Sequence, residues 1–405
     1  LLCCQSTSDA TVGAVKPGAI TANGDASATS VDISQSLTRT LTWPSSVKWD
    51  GAAAPTLLSG DDSEDAQQFQ FLTRDSGLTW YAWEPYSFDA PYYELYSWGS
   101  NQQGALGLNQ QGGTAARSSP MQIGSAVNWR NAVGSGPVGH MGGGTKTDGT
   151  LWVWGQNYAG NLGQNQAPGD LGAISSPVQV PGITWSNNFY TGSPGKPCLA
   201  VKTDGTLWGW GQNTVGELAQ NNETNRSSPV QVGTNTTWST AADTLTSAED
   251  NRVHAIKTNG TLWSWGIGSF GTLGRNVPSN TRYSSPTQVP GTTWSNVACG
   301  PQATAAVKTD GTLWAWGSNS PGWLSQNDRT SRSSPVQIPG TTWATGENKI
   351  AVSAINTMAI KTDGTLWASG GRYLGMLAQN GAKGGTDYGS AAGVSSPVQI
   401  PGRSE

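Results

Sequence analysis

Charge is what this chain most conspicuously lacks: 12% of its 405 residues are Asp, Glu, Lys or Arg, about half the usual share of a soluble domain. The 22 basic residues are spread along the sequence and the net charge is −4. Phosphate backbones need clustered Lys and Arg, so a nucleic-acid partner is not expected. No run of 18 apolar residues occurs, so no helix is expected to span a membrane. Histidine is almost absent, with only His140 and His254, which leaves little material for a His-based catalytic or zinc site. A Gly-x-Ser-x-Gly elbow, a phosphate loop and a repeated acidic pair at hydrolase spacing are missing too. The expectation is a non-enzyme with no cofactor and no metal site.

Cysteine is scarce as well: Cys3, Cys4, Cys198 and Cys299. Cys3 and Cys4 are adjacent and cannot readily bridge each other. They read as an intermolecular disulfide or as free thiols, and Cys198 and Cys299 as buried thiols. The chain begins at Leu1 rather than Met, so it reads as processed or as a piece of something longer. Low charge with abundant Ser, Thr, Asn, Gln and Gly points to an extracellular or virion surface.

What the chain has in excess is tryptophan, 20 residues, and glycine, 54. The reason is a repeat. The phrase Lys-Thr-Asp-Gly-Thr-Leu-Trp-x-Trp-Gly begins at Lys146, Lys202, Lys257, Lys308 and Lys361, and Leu95–Gly99 is a half copy. The second tryptophans Trp98, Trp154, Trp210, Trp265 and Trp316 are spaced by 56, 56, 55 and 51 residues, and Ser369 takes that place in the sixth copy. About twenty residues after each comes Ser-Ser-Pro, ending at Pro120, Pro177, Pro229, Pro286, Pro335 and Pro397. Each unit reads as four strands. A short Val-Gln-Ile edge is bounded by prolines, a Thr-Thr-Trp-Ser-Asn-Val strand follows, and two further strands flank Asp-Gly, a hairpin signal. Along Leu313-Trp314-Ala315-Trp316, Leu313 and Ala315 share one face and the two tryptophans the other. Units of this size pack radially as propeller blades, with the tryptophans Trp98, Trp154, Trp210, Trp265 and Trp316 as repeat core.

Asp148, Asp204, Asp310 and Asp363 form a tempting ring of carboxylates, but the third copy has Asn259. Asn can hold the left-handed backbone of a primed turn and lacks the charge of a metal ligand, so all five read as hairpin turns. His254 takes a strand position that is Leu199, Ala305 or Met358 in other copies and reads as a packed core side chain. Arg117, Arg226 and Arg332 precede Ser-Ser directly, and Arg282 lies one place earlier. They could line an anion-binding face or bond to local carbonyls and acids.

A second phrase follows each Trp-Gly: Asn101-Gln102-Gln103-Gly104-Ala105-Leu106-Gly107, again at 157–163, and more loosely at 213–219, 268–274, 319–325 and 372–378. Trp-Gly followed by Asn-x-x-Gly-x-Leu-Gly resembles the regulator-of-chromosome-condensation repeat family over residues 93–402. The resemblance implies a β-propeller, usually seven-bladed. With six Trp-Gly copies and five complete junctions, six blades are expected (seven possible), with residues 93–98 and 397–401 closing a composite blade. The family's nucleotide-exchange activity is not carried over, because no basic tail accompanies the repeats.

Residues 9–90 carry none of the repeat phrases cleanly. Alternation over 31–43 and a hairpin over 68–83 with its turn at Asp75-Ser76-Gly77 read as a small β-sandwich, Ig-like. Thr42-Trp43-Pro44-Ser45-Ser46-Val47-Lys48-Trp49 and Phe69-Gln70-Phe71-Leu72-Thr73-Arg74-Asp75-Ser76-Gly77-Leu78-Thr79-Trp80-Tyr81 resemble a module common in bacteriophage tail and fibre proteins. The expected organisation is thus all-β: a tail at 1–8, a sandwich assembly module at 9–90 and the propeller at 91–405. A strand around Val12, Val15 and Ile20 could pair with a neighbouring subunit. The leading functional expectation is a structural subunit of an extracellular or virion-surface assembly, partnered by copies of itself and by a host-surface glycan or protein. The alternatives are a soluble lectin-like or protein-binding propeller, such as a phage receptor-binding protein, and an enzyme built on Asp243, Glu249 and Glu347.

Overall fold

The structure, a computed structural model, describes residues 47–49, 68–73, 80–86 and 93–401, except 113–114, 135–139, 167–171, 193–195, 249–250, 321, 354, 372–376 and 379–392. The chain forms two compact units, Leu1–Tyr92 and Tyr93–Glu405. In the first, β1 (Val47–Trp49), β2 (Gln68–Thr73) and β3 (Trp80–Tyr86) form a sheet of order β1-β3-β2, with β2 and β3 antiparallel and β1 parallel to β3. The remainder of the expected sandwich, with Val12, Val15, Ile20, Cys3 and Cys4, lies outside the described residues.

The second unit is a β-propeller array. A two-stranded sheet, β4 (Tyr96–Gly99) with β5 (Arg117–Gln122), precedes five four-stranded antiparallel blades. The first is β6 (Trp129–Gly134), β7 (Met141–Lys146), β8 (Leu151–Gly155) and β9 (Ile174–Gln179). The second is β10 (Trp185–Tyr190), β11 (Pro197–Lys202), β12 (Leu207–Gly211) and β13 (Arg226–Gln231). The third is β14 (Leu245–Ala248), β15 (Arg252–Ile256), β16 (Leu262–Gly268) and β17 (Thr281–Gln288). The fourth is β18 (Trp294–Cys299), β19 (Ala303–Lys308), β20 (Leu313–Gly317) and β21 (Arg332–Ile338). The fifth is β22 (Ile350–Val352), β23 (Asn356–Ile360), β24 (Leu366–Gly370) and β25 (Val394–Gln399). Strands β6, β10, β14, β18 and β22 touch in succession, so the first strand of each blade faces inward.

Among the described residues the expected composite blade does not form. The C-terminal strand β25 pairs with β24 in its own blade, and β4 pairs with β5. The Ser-Ser-Pro-Val-Gln segment belongs to the repeat preceding it, as an outer edge strand where proline's missing N–H costs nothing.

Blades are held face to face by Leu-Trp-x-Trp. Leu207 of β12 lies under Trp238 and Trp265 of the following blade, and Leu313 and Ala315 under Trp343 of the next. Each buried indole removes about 150–250 Å² from water, worth roughly 4–6 kcal/mol before entropy is counted. The second tryptophan also stitches blades by a hydrogen bond. The Nε1–H of Trp154, Trp210, Trp265 and Trp316 donates to the carbonyl of the middle residue of Gly-x-Leu one blade earlier: Ala105 (2.8 Å), Asn161 (2.8 Å), Glu217 (2.7 Å) and Thr272 (2.8 Å). The glycine after that Leu is needed for two reasons at once. Gly163 sits at φ 66°, and a Cβ there would press on Trp210 Nε1 at 3.2 Å.

The last junction solves the same problem differently. Ser369 stands in place of the tryptophan, and its hydroxyl donates to the Trp323 carbonyl at 3.1 Å while accepting from Ser325 at 2.6 Å. Trp323 occupies the middle position of Gly-x-Leu and is buried in the same core, its Nε1–H donating to the Ser318 carbonyl. An indole lost from one blade is thus supplied by its neighbour. Trp98 stands apart from its counterparts: it is 61% exposed, because no blade precedes it among the described residues.

Candidate protein-docking face

The two ends of every blade differ. At one end, the hairpin between second and third strands meets the connection from the blade's outer strand to the next blade, as in Trp185 N–H to the Gly149 carbonyl (2.9 Å) and Thr203 N–H to the Thr184 carbonyl (2.8 Å). At the other end, the hairpin between first and second strands meets the loop between third and fourth, as in Gln156 N–H to His140 (2.8 Å) and Ser318 N–H to Gln302 (2.8 Å). These are the turn face and the loop face.

The turn face is repeated almost without change. Thr206 donates to Asp204 Oδ1 through its N–H (2.9 Å) and its hydroxyl (2.6 Å), and the same hydroxyl accepts from Trp208 Nε1–H at 2.8 Å. Asp148, Asp310 and Asp363 hold the same relay. Asn259 does so too, at 3.1 and 2.7 Å, because only an Oδ1 acceptor is required. The Thr206 hydroxyl is the main cause that holds the Asp204 carboxyl below its ordinary range. The turn itself departs from the primed type expected. The positive φ falls on Gly205 (76°) and on neither Asp204 nor Asn259, with Gly205 N–H bonded to the Lys202 carbonyl at 2.9 Å, which is a type I turn closed by a glycine bulge.

The lysine opening each phrase lies between two indoles. Lys202 Nζ is 4.9 Å from the Trp185 ring and 4.6 Å from Trp208. Lys146, Lys257, Lys308 and Lys361 are placed alike. Burial lowers the pKa of Lys146 and Lys257, and the ring faces supply cation–π attraction in return. Nothing in the sequence reading anticipated this arrangement, although Lys recurring six residues before Trp was its visible signal.

The loop face varies from blade to blade. Tyr158 and Phe270, in loops between third and fourth strands, are 66% and 52% exposed. Phe270 sits at φ 54° in a single 3-10 turn, a left-handed conformation unfavourable for a bulky residue. The outer-strand arginines begin beside these loops. Arg332 pairs with Asp328 at 2.6 Å and Arg282 with Glu223 at 3.4 Å. Arg117 bonds to the Ala116 carbonyl at 3.1 Å and to Gln110, and Arg226 begins β13 at the same place. Three of the four are thus engaged with neighbouring acids, a glutamine or a carbonyl.

Of the carboxylates weighed for catalysis, Asp243 lies against the segment that carries Glu347. Asp243 Oδ2 accepts from Asn348 N–H at 2.5 Å, Glu347 is exposed, and Glu249 lies outside the described residues. Glu217 is buried with one oxygen accepting from Val215 N–H at 2.8 Å, and burial raises its pKa. His254 is fully buried against Trp316, with ring centroids 5.9 Å apart. Cys198 is fully buried, and burial pushes its thiol up to about 11. Sequence reasoning missed the Trp323–Ser369 exchange and the side chains around Cys299. Both were signalled by residues that break the repeat at aligned positions.

Comparison with known proteins finds the Regulator of chromosome condensation (RCC1) repeat at residues 94–136, 204–242 and 259–307, and a second repeat profile of the same description at 294–322. The Ultraviolet-B receptor UVR8 of Arabidopsis thaliana is 24% identical over 288 residues, 69% of this chain and 62% of the receptor. The mitochondrial RCC1 domain-containing protein RUG3 of the same plant is 27% identical over 184 residues, 42% of this chain and 38% of its own length. The chain therefore spans less than two thirds of either relative. The structure of Prp20p from Saccharomyces cerevisiae, described with its binding properties to Gsp1p and histones, superposes with a TM-score of 0.59 at 18% identity, covering 77% of this chain and 75% of that one. The chain carries RCC1 repeats on an RCC1-like β-propeller.

These relatives overturn two expectations. A structural subunit of a fibre or virion surface does not fit a set comprising a receptor, a mitochondrial protein and a binder of Gsp1p and histones. The extracellular or virion-surface placement falls with it, as RUG3 is mitochondrial. Neither a filament of the chain itself nor a host glycan finds support among them. The misleading signal was the polar, weakly charged composition, which the repeat consumes internally: Ser176, Ser228 and Ser285 donate to Asn109, Asn165 and Asn221 one blade earlier.

Proposed function

We propose that this propeller is a non-enzymatic protein-binding module, and that its loop face docks a partner protein through apolar contacts. The observation that carries the reading is the difference between the faces. On the turn face, Asp or Asn, Thr, Lys and both tryptophans are engaged in the same contacts five times over. On the loop face, Tyr158 and Phe270 are large and exposed where the second blade has Thr214 and Val215, and their loops approach the strands headed by Arg226 and Arg332. Exposed aromatics with nearby arginine are the usual anchors of protein interfaces, and propeller loops are the variable part of a rigid scaffold. Protein binding is also what the description of Prp20p records for that protein.

The test is co-purification from extract of the source cells. The wild-type chain should retain a specific protein that the Tyr158→Ala/Phe270→Ala double variant loses and that Ile183→Ala, exposed on the turn face, retains. Retention unchanged in the double variant, or lost through Ile183, contradicts the reading.

A further inference from the structure

Two departures from the repeat, Arg252 and Arg275, act on a third, His254, which faces a thiol. Arg252, paired with Gly266, takes the place of Met141, Pro197, Ala303 and Asn356, each paired with the glycine that ends its own third strand. His254, two residues on, takes the place of Gly143, Leu199, Ala305 and Met358. Arg275 stands where Gln164, Gln220 and Gln326 each staple their loop to two carbonyls. All three belong to the blade of β14–β17, and Cys299 belongs to the next.

Cys299 Sγ lies 3.3 Å from His254 Nδ1 and 3.7 Å from Thr304 Oγ1, and it is only half-buried. Nδ1 is the ring nitrogen that faces the thiol, and Nε2 is buried with no hydrogen-bond partner. Arg252 is fully buried and gives its guanidinium to the carbonyls of Gly300 (2.5 Å), Pro301 (3.2 Å) and Ala303 (3.0 Å), the turn just after Cys299. Arg252 and Arg275 are the charged groups acting on the imidazole, and Tyr283 stacks on Arg275 at 3.7 Å. Burying an imidazole and a guanidinium where the repeat uses small or apolar residues is costly. Positive charge beside a thiol favours its anionic, nucleophilic form.

We infer that Cys299, with His254 as its proton acceptor, is a redox-modifiable thiol that reacts with hydroperoxides to give a sulfenic acid. The sulfur attacks the distal peroxide oxygen, an S–O bond forms as the O–O bond breaks, and sulfur gives up two electrons to the peroxide. The thiol proton passes through His254 Nδ1 to the leaving oxygen, so thiol and hydroperoxide yield sulfenic acid and an alcohol, or water from hydrogen peroxide. Cys198 is the internal control, being buried beside Asn161 with its thiol held neutral. This inference is independent of the docking proposal.

The test treats the folded full chain with hydrogen peroxide, traps sulfenic acid with dimedone and reads each cysteine by mass spectrometry, which separates Cys299 from Cys3 and Cys4. Cys299 should react at least about 10-fold faster than Cys198, and His254→Leu should slow it about 10-fold. Equal rates at the two cysteines, or a rate unchanged in folded His254→Leu, overturn the inference. Should His254→Leu fail to fold, His254→Gln, which keeps a polar side chain but no proton-accepting ring nitrogen, decides: a several-fold slowing supports the assignment and an unchanged rate defeats it.

Discussion

The turn face and the loop face of this propeller are made by the same strands, yet one is nearly invariant across five blades and the other is not. On the turn face, Asp204, Thr206, Trp208 and Lys202 are bound into one another, and the same set recurs in every four-stranded blade. On the loop face, the position of Phe270 is filled by a different residue in each copy, and that of Tyr158 by Gln, Thr, Ser or Tyr. Repetition of a contact marks what holds the blades together, and departure from it marks where one blade does something the others do not.

The sharpest way to break the comparison is to remove the repeated part. Trp210→Ala deletes a fully buried indole and its bond to Asn161, and should cost about 3–5 kcal/mol in urea unfolding. Trp98→Ala, at the same repeat position but exposed, should stay within about 0.5 kcal/mol.

The second effect comes from His254, a departure in the interior. Burial, followed by Arg252 and Arg275, holds its pKa well below 6.5, so the folded ring stays neutral while the unfolded one takes a proton. The unfolded state then binds more protons below the unfolded pKa, and stability falls as pH drops through that window. Between pH 6.5 and 5 the loss should approach about 2 kcal/mol, seen as a falling melting temperature that His254→Leu flattens. A slope unchanged by that substitution would assign the pH dependence elsewhere.

A smaller change separates acceptor from charge on the turn face. Asp204→Ala should cost about 1 kcal/mol, whereas Asp204→Asn should be nearly neutral, as Asn259 performs the same function. If Asn proved as damaging as Ala, the carboxylate charge would matter. The smallest effect has the opposite sign. Phe270→Asn relieves a left-handed aromatic and should raise stability by about 0.5 kcal/mol, while weakening partner retention.

Much of the fold was legible because the repeat states it six times. The period, the four strands and the opposed Leu and Trp faces all follow from residue spacing, and one substitution, Asn259, was enough to set aside a metal ring. Other features were not legible for physical reasons. Blade assignment of the Ser-Ser-Pro strand depends on pairing, which spacing alone leaves open, so the composite blade was expected and β25 pairs within its own. The Trp323–Ser369 exchange joins residues 46 apart, a contact that only the inter-blade packing reveals. The surroundings of Cys299 draw on His254 and Arg252 across a blade junction. Cellular placement is not legible in the polar composition, because Ser and Asn serve the junctions between blades.

The central claim is that partners meet the loop face. A photo-crosslinking amino acid placed in turn at positions 158, 270 and 183 tests it most directly in native extract. The account predicts adducts with one and the same protein from 158 and 270 and none from 183. Adducts formed from 183 alone, or from none of the three, would contradict it.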